Sequence, residues 1–171
     1  MNKIVLQNII RFVVLIFFQI SVLNNIYLGG YVNLFLYILF ILMLPNYLPK
    51  NVIILISFAT GFIVDIFSTT LGLHTFSATL IGFSRVVFAD KILTKGDNVE
   101  IDTPSIRTIS PSVYSAYAII LTFIYCFFYY LIESFSLHDI LNLLIRTVLS
   151  TIVTYLLMIA CQFLFINQKK K

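Results

Sequence analysis

Six apolar runs separated by short polar breaks occupy most of this 171-residue chain. An α-helix needs about 20 predominantly apolar residues to cross the hydrocarbon core of a bilayer, and the chain has room for about six such helices. Charged residues make up only 11% of the sequence, whereas a soluble domain has about 25%, so an ordinary soluble globule is excluded. The sequence therefore predicts an all-α integral membrane protein, with a single transmembrane domain over 1–171 and no second, soluble domain.

A polar cytoplasmic loop over 89–112 is predicted to separate the fourth span from the fifth. The second apolar run is short, because its residues cover only about 21 Å as a helix. It closes at Pro45, so we expect it to be re-entrant, flanked by protein, or extended across Gly30. Ser110 and Pro111 suit a helix start, with serine as the cap and proline in the first turn. The predicted spans are about 9–28, 31–44, 52–67, 73–88, 113–132 and 140–165.

The distribution of Lys and Arg predicts the orientation, because these residues collect on the cytoplasmic side of a membrane protein. The connections around Gly29, Gly72 and Ser136 contain no Lys or Arg and are assigned to the outside. The sequence therefore predicts six crossings with both termini in the cytoplasm. The cations of the cytoplasmic segments are Lys3, Lys50, Lys91, Lys95, Arg107, Lys169, Lys170 and Lys171.

Ionisable residues within the spans are informative, because a charge in hydrocarbon costs several kcal/mol unless it is paired or meets water. Arg11 and Arg85 lie within a turn or two of the predicted cytoplasmic face, where snorkelling explains them. Asp65 and Arg146 fall at the same predicted depth in the outer third of the membrane. We expect them to form a pair or to share a polar pocket. The alternative is that each reaches the outer interface alone.

An outward pocket around Asp65 would draw on polar residues that follow it or lie at the same predicted end of the bundle. Hydroxyl groups or water there would hold the carboxylate, which would otherwise become protonated. The candidate pocket residues are Ser68, Thr69, His74 and Glu133.

Constellations typical of soluble enzymes are absent from the sequence, which has no glycine-rich phosphate loop and no serine nucleophile elbow. His74 and His138 are both predicted at the outer face and are interpreted as interfacial polar residues, because two histidines need carboxylates or thiols nearby to hold a metal. The acidic cluster lies in the polar loop with lysines among its members, so it is interpreted as a solvated segment. It comprises Asp97, Glu100 and Asp102. We therefore predict no enzymatic activity, no cofactor and no metal site.

Asp65 lies in the segment 61–72, which reads G-F-I-V-D-I-F-S-T-T-L-G. Gly61 lies one turn before the acid and permits close approach of another helix, while Gly72 permits a tight external turn. The stretch resembles the family of the rod shape-determining protein MreD, which carries a G-x-x-x-D segment followed by a short polar turn and L-G.

The resemblance extends over nearly the whole chain and is to the branch of the family found in Bacteroidetes-type bacteria. One position departs from the pattern: Leu34 follows Asn33 where the family usually has a proline that opens the second helix. The further matching parts are Gln19, the Asn24-Asn25 turn, E-S-F-S at 133–136 and L-I-R-T-V-L-S-T at 144–151.

The resemblance implies a non-enzymatic scaffold of the cell-elongation complex in the inner membrane. Members of the family bind the bitopic protein MreC. They help couple MreB filaments to the glycosyltransferase RodA and a class B penicillin-binding protein, and thereby to peptidoglycan synthesis and cell shape. Their fold is similar to that of the six-helix substrate-binding subunits of energy-coupling-factor transporters.

That similarity of fold supplies the alternative: a substrate-binding subunit, for a small molecule or a lipid-linked intermediate, in a membrane transporter. Such subunits present an alanine-rich face on the first helix to their transport partner. This sequence has no alanine before Ala59, which favours the scaffold.

Overall fold

The computed structural model describes residues 3–26, 29–70, 72–92, 103–106, 108–134 and 139–165. The all-α class is confirmed for this part of the chain. The helices are α1 (Lys3–Ser21), α2 (Ile38–Leu42), α3 (Lys50–Ser68), α4 (Leu73–Ile92), α5 (Pro111–Ser134) and α6 (Ile140–Phe165), with a 3₁₀ turn at Leu23–Asn25.

Within the described residues, four helices are long and apolar enough to cross a membrane: α1 with the turn that follows it, α3, α5 and α6. The apolar stretch of α4 is shorter and covers Leu73–Phe88. The predicted bounds of the third and sixth spans agree with α3 and α6 to within two residues, while α4 continues four residues beyond its predicted end at Phe88. The helix start predicted at Ser110-Pro111 is confirmed, because α5 begins at Pro111.

Small residues allow α3 and α4 to pack closely. A Cβ atom on Gly61 would lie 2.5 Å from the carbonyl oxygen of His74, so α4 begins directly against this position. On the facing helix, Gly82 leaves no room for a Cβ beside the Ser57 side chain. The predicted role of Gly61 in close helix approach is confirmed, and the contact is of the small-residue type found between membrane helices.

The second apolar run is buried in the centre of the bundle rather than forming a spanning helix. Every residue from Leu34 to Leu44 is at most 7% exposed, yet only Ile38–Leu42 is helical. The prediction of a helix over 31–44 was wrong, and the expectation that the run is flanked by protein is confirmed. Leu36 and Tyr37 form a turn that leads into α2, and the stretch before them stays non-helical because side chains of the surrounding helices bind its backbone groups.

Part of the predicted solvated loop is packed against the bundle. Ser105 is buried, and the backbone N–H of Ile106 donates to Oε1 of Gln162 in α6 at 3.1 Å. The prediction of a solvated loop was wrong for this part, because Gln162 binds the loop backbone and holds it against the bundle. The predictions for the following residues concern positions outside the described part of the chain: Lys95, Asp97, Glu100, Asp102, Arg107, Ser136, His138, Lys169, Lys170 and Lys171.

Candidate functional site

Polar side chains of α5 and α6 bind the extended backbone that leads into α2. The N–H of Asn33 donates to Oγ of Ser150 at 3.0 Å and to the hydroxyl of Tyr130 at 3.2 Å. The N–H of Phe35 donates to Oγ1 of Thr154 at 3.3 Å. Non-helical backbone at membrane depth is tolerated where protein supplies its hydrogen-bond partners, and these three side chains do so.

The side chain of Gln19 in α1 also binds backbone groups of this segment. Its Nε2 donates to the carbonyl oxygen of Leu34 at 2.6 Å, and its Oε1 accepts from the N–H of Tyr37 at 3.4 Å. The side chain is fully buried and also donates to Oδ1 of Asn24 at 2.8 Å. One amide group thus joins α1, the turn after it and the central segment, as we call residues 33–44.

Asp65 lies near the end of α3 and binds the start of α4. One carboxylate oxygen accepts from the N–H of His74 at 3.1 Å, and the other from the N–H of Thr75 at 2.7 Å. The hydroxyls of Thr70 and Thr75 each donate to the carboxylate at 2.5 Å. Free N–H groups and the helix dipole make a helix N-terminus favourable for a negative charge. The carboxylate of Asp65, a residue of α3, therefore caps the N-terminus of α4.

The turn between the two helices brings the carboxylate into this position. Thr69 has φ +54° and Gly72 has φ +85°, both in the left-handed region. Glycine adopts that conformation without a steric penalty, so the tight turn predicted at Gly72 is confirmed.

The structure does not pair Asp65 with Arg146. Nη2 of Arg146 lies 2.9 Å from Oε2 of Glu133, and its guanidinium carbon lies 4.4 Å from the centre of the Tyr130 ring. The prediction of an Asp65–Arg146 pair was wrong. Matching depth along two helices does not bring side chains together, and the backbone of α4 already supplies the partners of Asp65. Arg146 borders a separate cavity of about 410 Å³, beside Asn142.

Arg85 of α4 binds the other end of the central segment. Its guanidinium donates to the carbonyl oxygens of Leu42 and Leu44 and, at 3.0 Å, to Oδ1 of Asn46. Arg85 is 1% exposed, so the expectation that it snorkels to the membrane face was wrong. The last carbonyls of a helix have no partner within it, and a cation satisfies them and complements the dipole. Arg11, by contrast, is half-buried and donates to Oδ1 of Asn8 in its own helix at 2.9 Å.

A cluster of aromatic side chains joins α2, α4 and α5 in the interior. The hydroxyl of Tyr125 lies 2.6 Å from that of Tyr37 and 2.7 Å from Nδ1 of His74. The ring of Tyr129 lies 5.0 Å from the imidazole. His74 is buried at 3% exposure, so its interpretation as an interfacial residue was wrong: the Asp65 cap draws the start of α4 into the bundle.

A cavity of about 300 Å³ opens beside this cluster, at the end of the bundle where α1 and α3 end and α4 begins. Two of the predicted pocket residues, Ser68 and His74, border it. Thr69 instead forms the turn and donates to the carbonyl oxygen of Ser68, while Glu133 binds Arg146. The polar residues that border the cavity are Asn24, Asn25, Asn33, Ser68, Thr70, His74 and Tyr129.

Most of the polar residues that bind the central segment were not identified from the sequence. The signal that could have identified them is the spacing of polar residues in the fifth and sixth spans. Ser150 and Thr154 lie four residues apart, and Tyr117, Tyr125 and Tyr129 lie at multiples of four, so each set falls near one helix face. Among the described residues, no three His, Cys, Asp or Glu side chains come together in a way that could hold a metal ion. No family model, curated protein or solved structure matches the chain.

Proposed function

We propose that the protein is an MreD-like scaffold of the inner membrane, with six crossings and both termini in the cytoplasm. It binds MreC and helps couple MreB filaments to RodA and a class B penicillin-binding protein. One structural observation carries this proposal beyond the sequence resemblance. Asp65, Arg85 and Arg146, three charged side chains within the predicted spans, all bind backbone groups or a neighbouring charge. Their contacts hold the helices in place, which is what a scaffold requires.

The path of the central segment supports six crossings. Its backbone contacts Tyr130 near the end of α5 through Asn33, and Tyr117 near the start of α5 through Leu42. The two tyrosines are thirteen positions apart along the helix, which corresponds to about 20 Å. A segment that travels this far along a spanning helix can connect the two faces of the membrane, although only five of its residues are helical.

The two ends of the segment provide a matched topology test. Tyr31 is 54% exposed before the segment, and Tyr47 is 57% exposed after it. In a background in which Cys126 and Cys161 are replaced by alanine, Tyr31→Cys should react with a membrane-impermeant maleimide in intact cells, and Tyr47→Cys should react only after lysis. Reaction of both probes from outside would show a re-entrant segment and remove the six-crossing arrangement.

The least covered helix is the most suitable binding surface for the membrane helix of MreC. In its most apolar stretch, α1 has 17% of its residues buried, compared with 44% in α5. An apolar groove of about 340 Å³ lies between α1 and α3, bordered by Ile9, Phe12, Phe40 and Ile56. A groove of this kind accepts side chains of a partner helix, and membrane helices associate by such packing.

Copurification tests the partner and the surface together. MreC should be recovered with the detergent-solubilised protein, and Ile9→Trp should reduce its recovery at least tenfold because the larger ring fills the groove. Leu156→Trp on α6 is the matched control, since Leu156 is 59% exposed and lies outside the groove. Recovery of transporter ATPase subunits without MreC would overturn the scaffold and favour the substrate-binding subunit.

A further inference from the structure

The cavity of about 300 Å³ at the end of α1 and α3 contains hydrogen-bonding groups that the fold does not use. The side-chain amide of Asn33 and the hydroxyl of Tyr129 have no hydrogen-bond partner among the described residues. Nδ1 of His74 contacts two tyrosine hydroxyls, whereas Nε2 has no partner in the same part of the chain. Three unused polar groups thus border one cavity, on three different segments of the bundle.

The cavity leads from the surface into the interior. Asn24 and Asn25 at its mouth are exposed, while Phe35 and His74 at its floor are 2% and 3% exposed. A ligand group that enters would therefore leave water and meet hydrogen-bond donors and acceptors at depth. These groups make no hydrogen bond within the described part of the fold, so a ligand that satisfies them gains both affinity and orientation.

The residues around the cavity carry no formal charge. No Asp, Glu, Lys or Arg borders it among the described residues, and Asp65 nearby already accepts four hydrogen bonds. A charged ligand would lose its hydration there without gaining an opposite charge. The ligand class is therefore uncharged.

Amides, hydroxyls and an aromatic ring in one cavity match a ring compound rich in hydroxyl groups. Asn33 offers a donor and an acceptor, the Tyr129 hydroxyl offers both, and the Tyr129 ring offers an apolar face. The volume lies at the lower limit for small-molecule sites, which suits a single sugar ring. We propose that this cavity binds an uncharged sugar group, supplied either as a free saccharide or as the headgroup of a glycolipid.

This proposal is independent of the scaffold function, because none of the residues that define the cavity borders the α1–α3 groove. Loss of sugar binding should leave the recovery of MreC unchanged. Loss of MreC binding in Ile9→Trp should leave sugar binding unchanged.

The test uses the full-length protein in a detergent without a sugar headgroup, because a glycoside detergent would compete for the site. The probes are glucose, N-acetylglucosamine and monoglucosyl diacylglycerol, with phosphatidylglycerol as the charged lipid control. The expected result is a saturable rise in the thermal unfolding midpoint with at least one sugar probe. Binding of a free sugar identifies a saccharide site, and binding of the glycolipid alone identifies a headgroup site.

Two variants remove the unused groups without removing a bond of the fold. Tyr129→Phe and Asn33→Ala should each weaken sugar binding at least tenfold while the unfolding midpoint without ligand stays within experimental error. Asn142→Ala is the matched control, because Asn142 is exposed and borders the other cavity. The proposal is overturned if no sugar probe shifts the midpoint, if phosphatidylglycerol shifts it equally, or if both variants bind as tightly as the parent.

Discussion

Asp65 and Arg85 hold opposite ends of the bundle by the same physical means. At one end a carboxylate binds the free N–H groups where α4 begins. At the other end a guanidinium binds the free carbonyl groups where α2 ends. Each charge meets the helix terminus of opposite partial charge, and neither meets an opposite side-chain charge among the described residues.

The two sites differ in how replaceable the charge is. Two threonine hydroxyls supplement the N–H groups at Asp65, and both can find other acceptors by rotation. The carbonyls of Leu42 and Leu44 are fixed in a fully buried segment and Arg85 binds both, while the Tyr117 hydroxyl supplements it only at Leu42, at 3.3 Å. The comparison indicates that the Leu42 and Leu44 end of the central segment depends more strongly on Arg85 than the start of α4 depends on Asp65.

The largest expected effect is therefore at Arg85. Arg85→Met retains much of the stem volume but removes the charged donor from the buried Leu44 carbonyl and leaves the Leu42 carbonyl to the Tyr117 hydroxyl, so it should lower the free energy of unfolding by about 3–5 kcal/mol. Thermal and denaturant unfolding in detergent would measure the loss. Arg11→Met is the control and should change stability by less than about 1 kcal/mol, because Arg11 is only half-buried and bonds within its own helix. Equal losses for the two variants would contradict the carbonyl-binding role.

A smaller loss is expected at Asp65. Asp65→Ala leaves two N–H groups at the start of α4 without acceptors and should cost about 2–4 kcal/mol, while Asp65→Asn keeps one acceptor and should cost about half as much. The same unfolding measurements apply. Asn142→Ala, at an exposed position inside α6, should stay within about 0.5 kcal/mol of the parent. If Asp65→Ala cost more than Arg85→Met, the ranking of the two ends would be reversed.

The smallest effects concern charge pairs. Asp65→Ala combined with Arg146→Leu should be additive to within about 0.5 kcal/mol, because these residues share no contact. Glu133→Gln combined with Arg146→Leu should show a coupling of up to about 1 kcal/mol, the range for a partly exposed pair. A strong positive coupling between Asp65 and Arg146 would restore the pair that the sequence suggested.

Helix positions and the α3–α4 turn could be predicted from the sequence, because they depend on local signals. Apolar runs placed the long helices, Pro111 marked a helix start, and Gly61 and Gly72 marked a close approach and a turn. Polar partners could not be predicted, because they depend on the rotation of each helix and on which backbone groups lack partners. Depth in the membrane suggested that Asp65 pairs with Arg146 and that Arg85 reaches the membrane face. Neither prediction took into account the free backbone groups at the ends of α4 and α2, which bind these charges.

The contacts of the central segment also set the order in which the protein can be assembled during synthesis. The N–H groups of Asn33 and Phe35 bind side chains that lie between 97 and 119 residues later in the chain. At a translation rate of about 5–20 residues per second, those partners emerge about 5–25 seconds afterwards. Until then lipid offers the extended backbone no acceptor. The second apolar run must therefore enter the bundle last, after the helices that follow it, and a nascent chain truncated before α5 should leave it outside the hydrocarbon core.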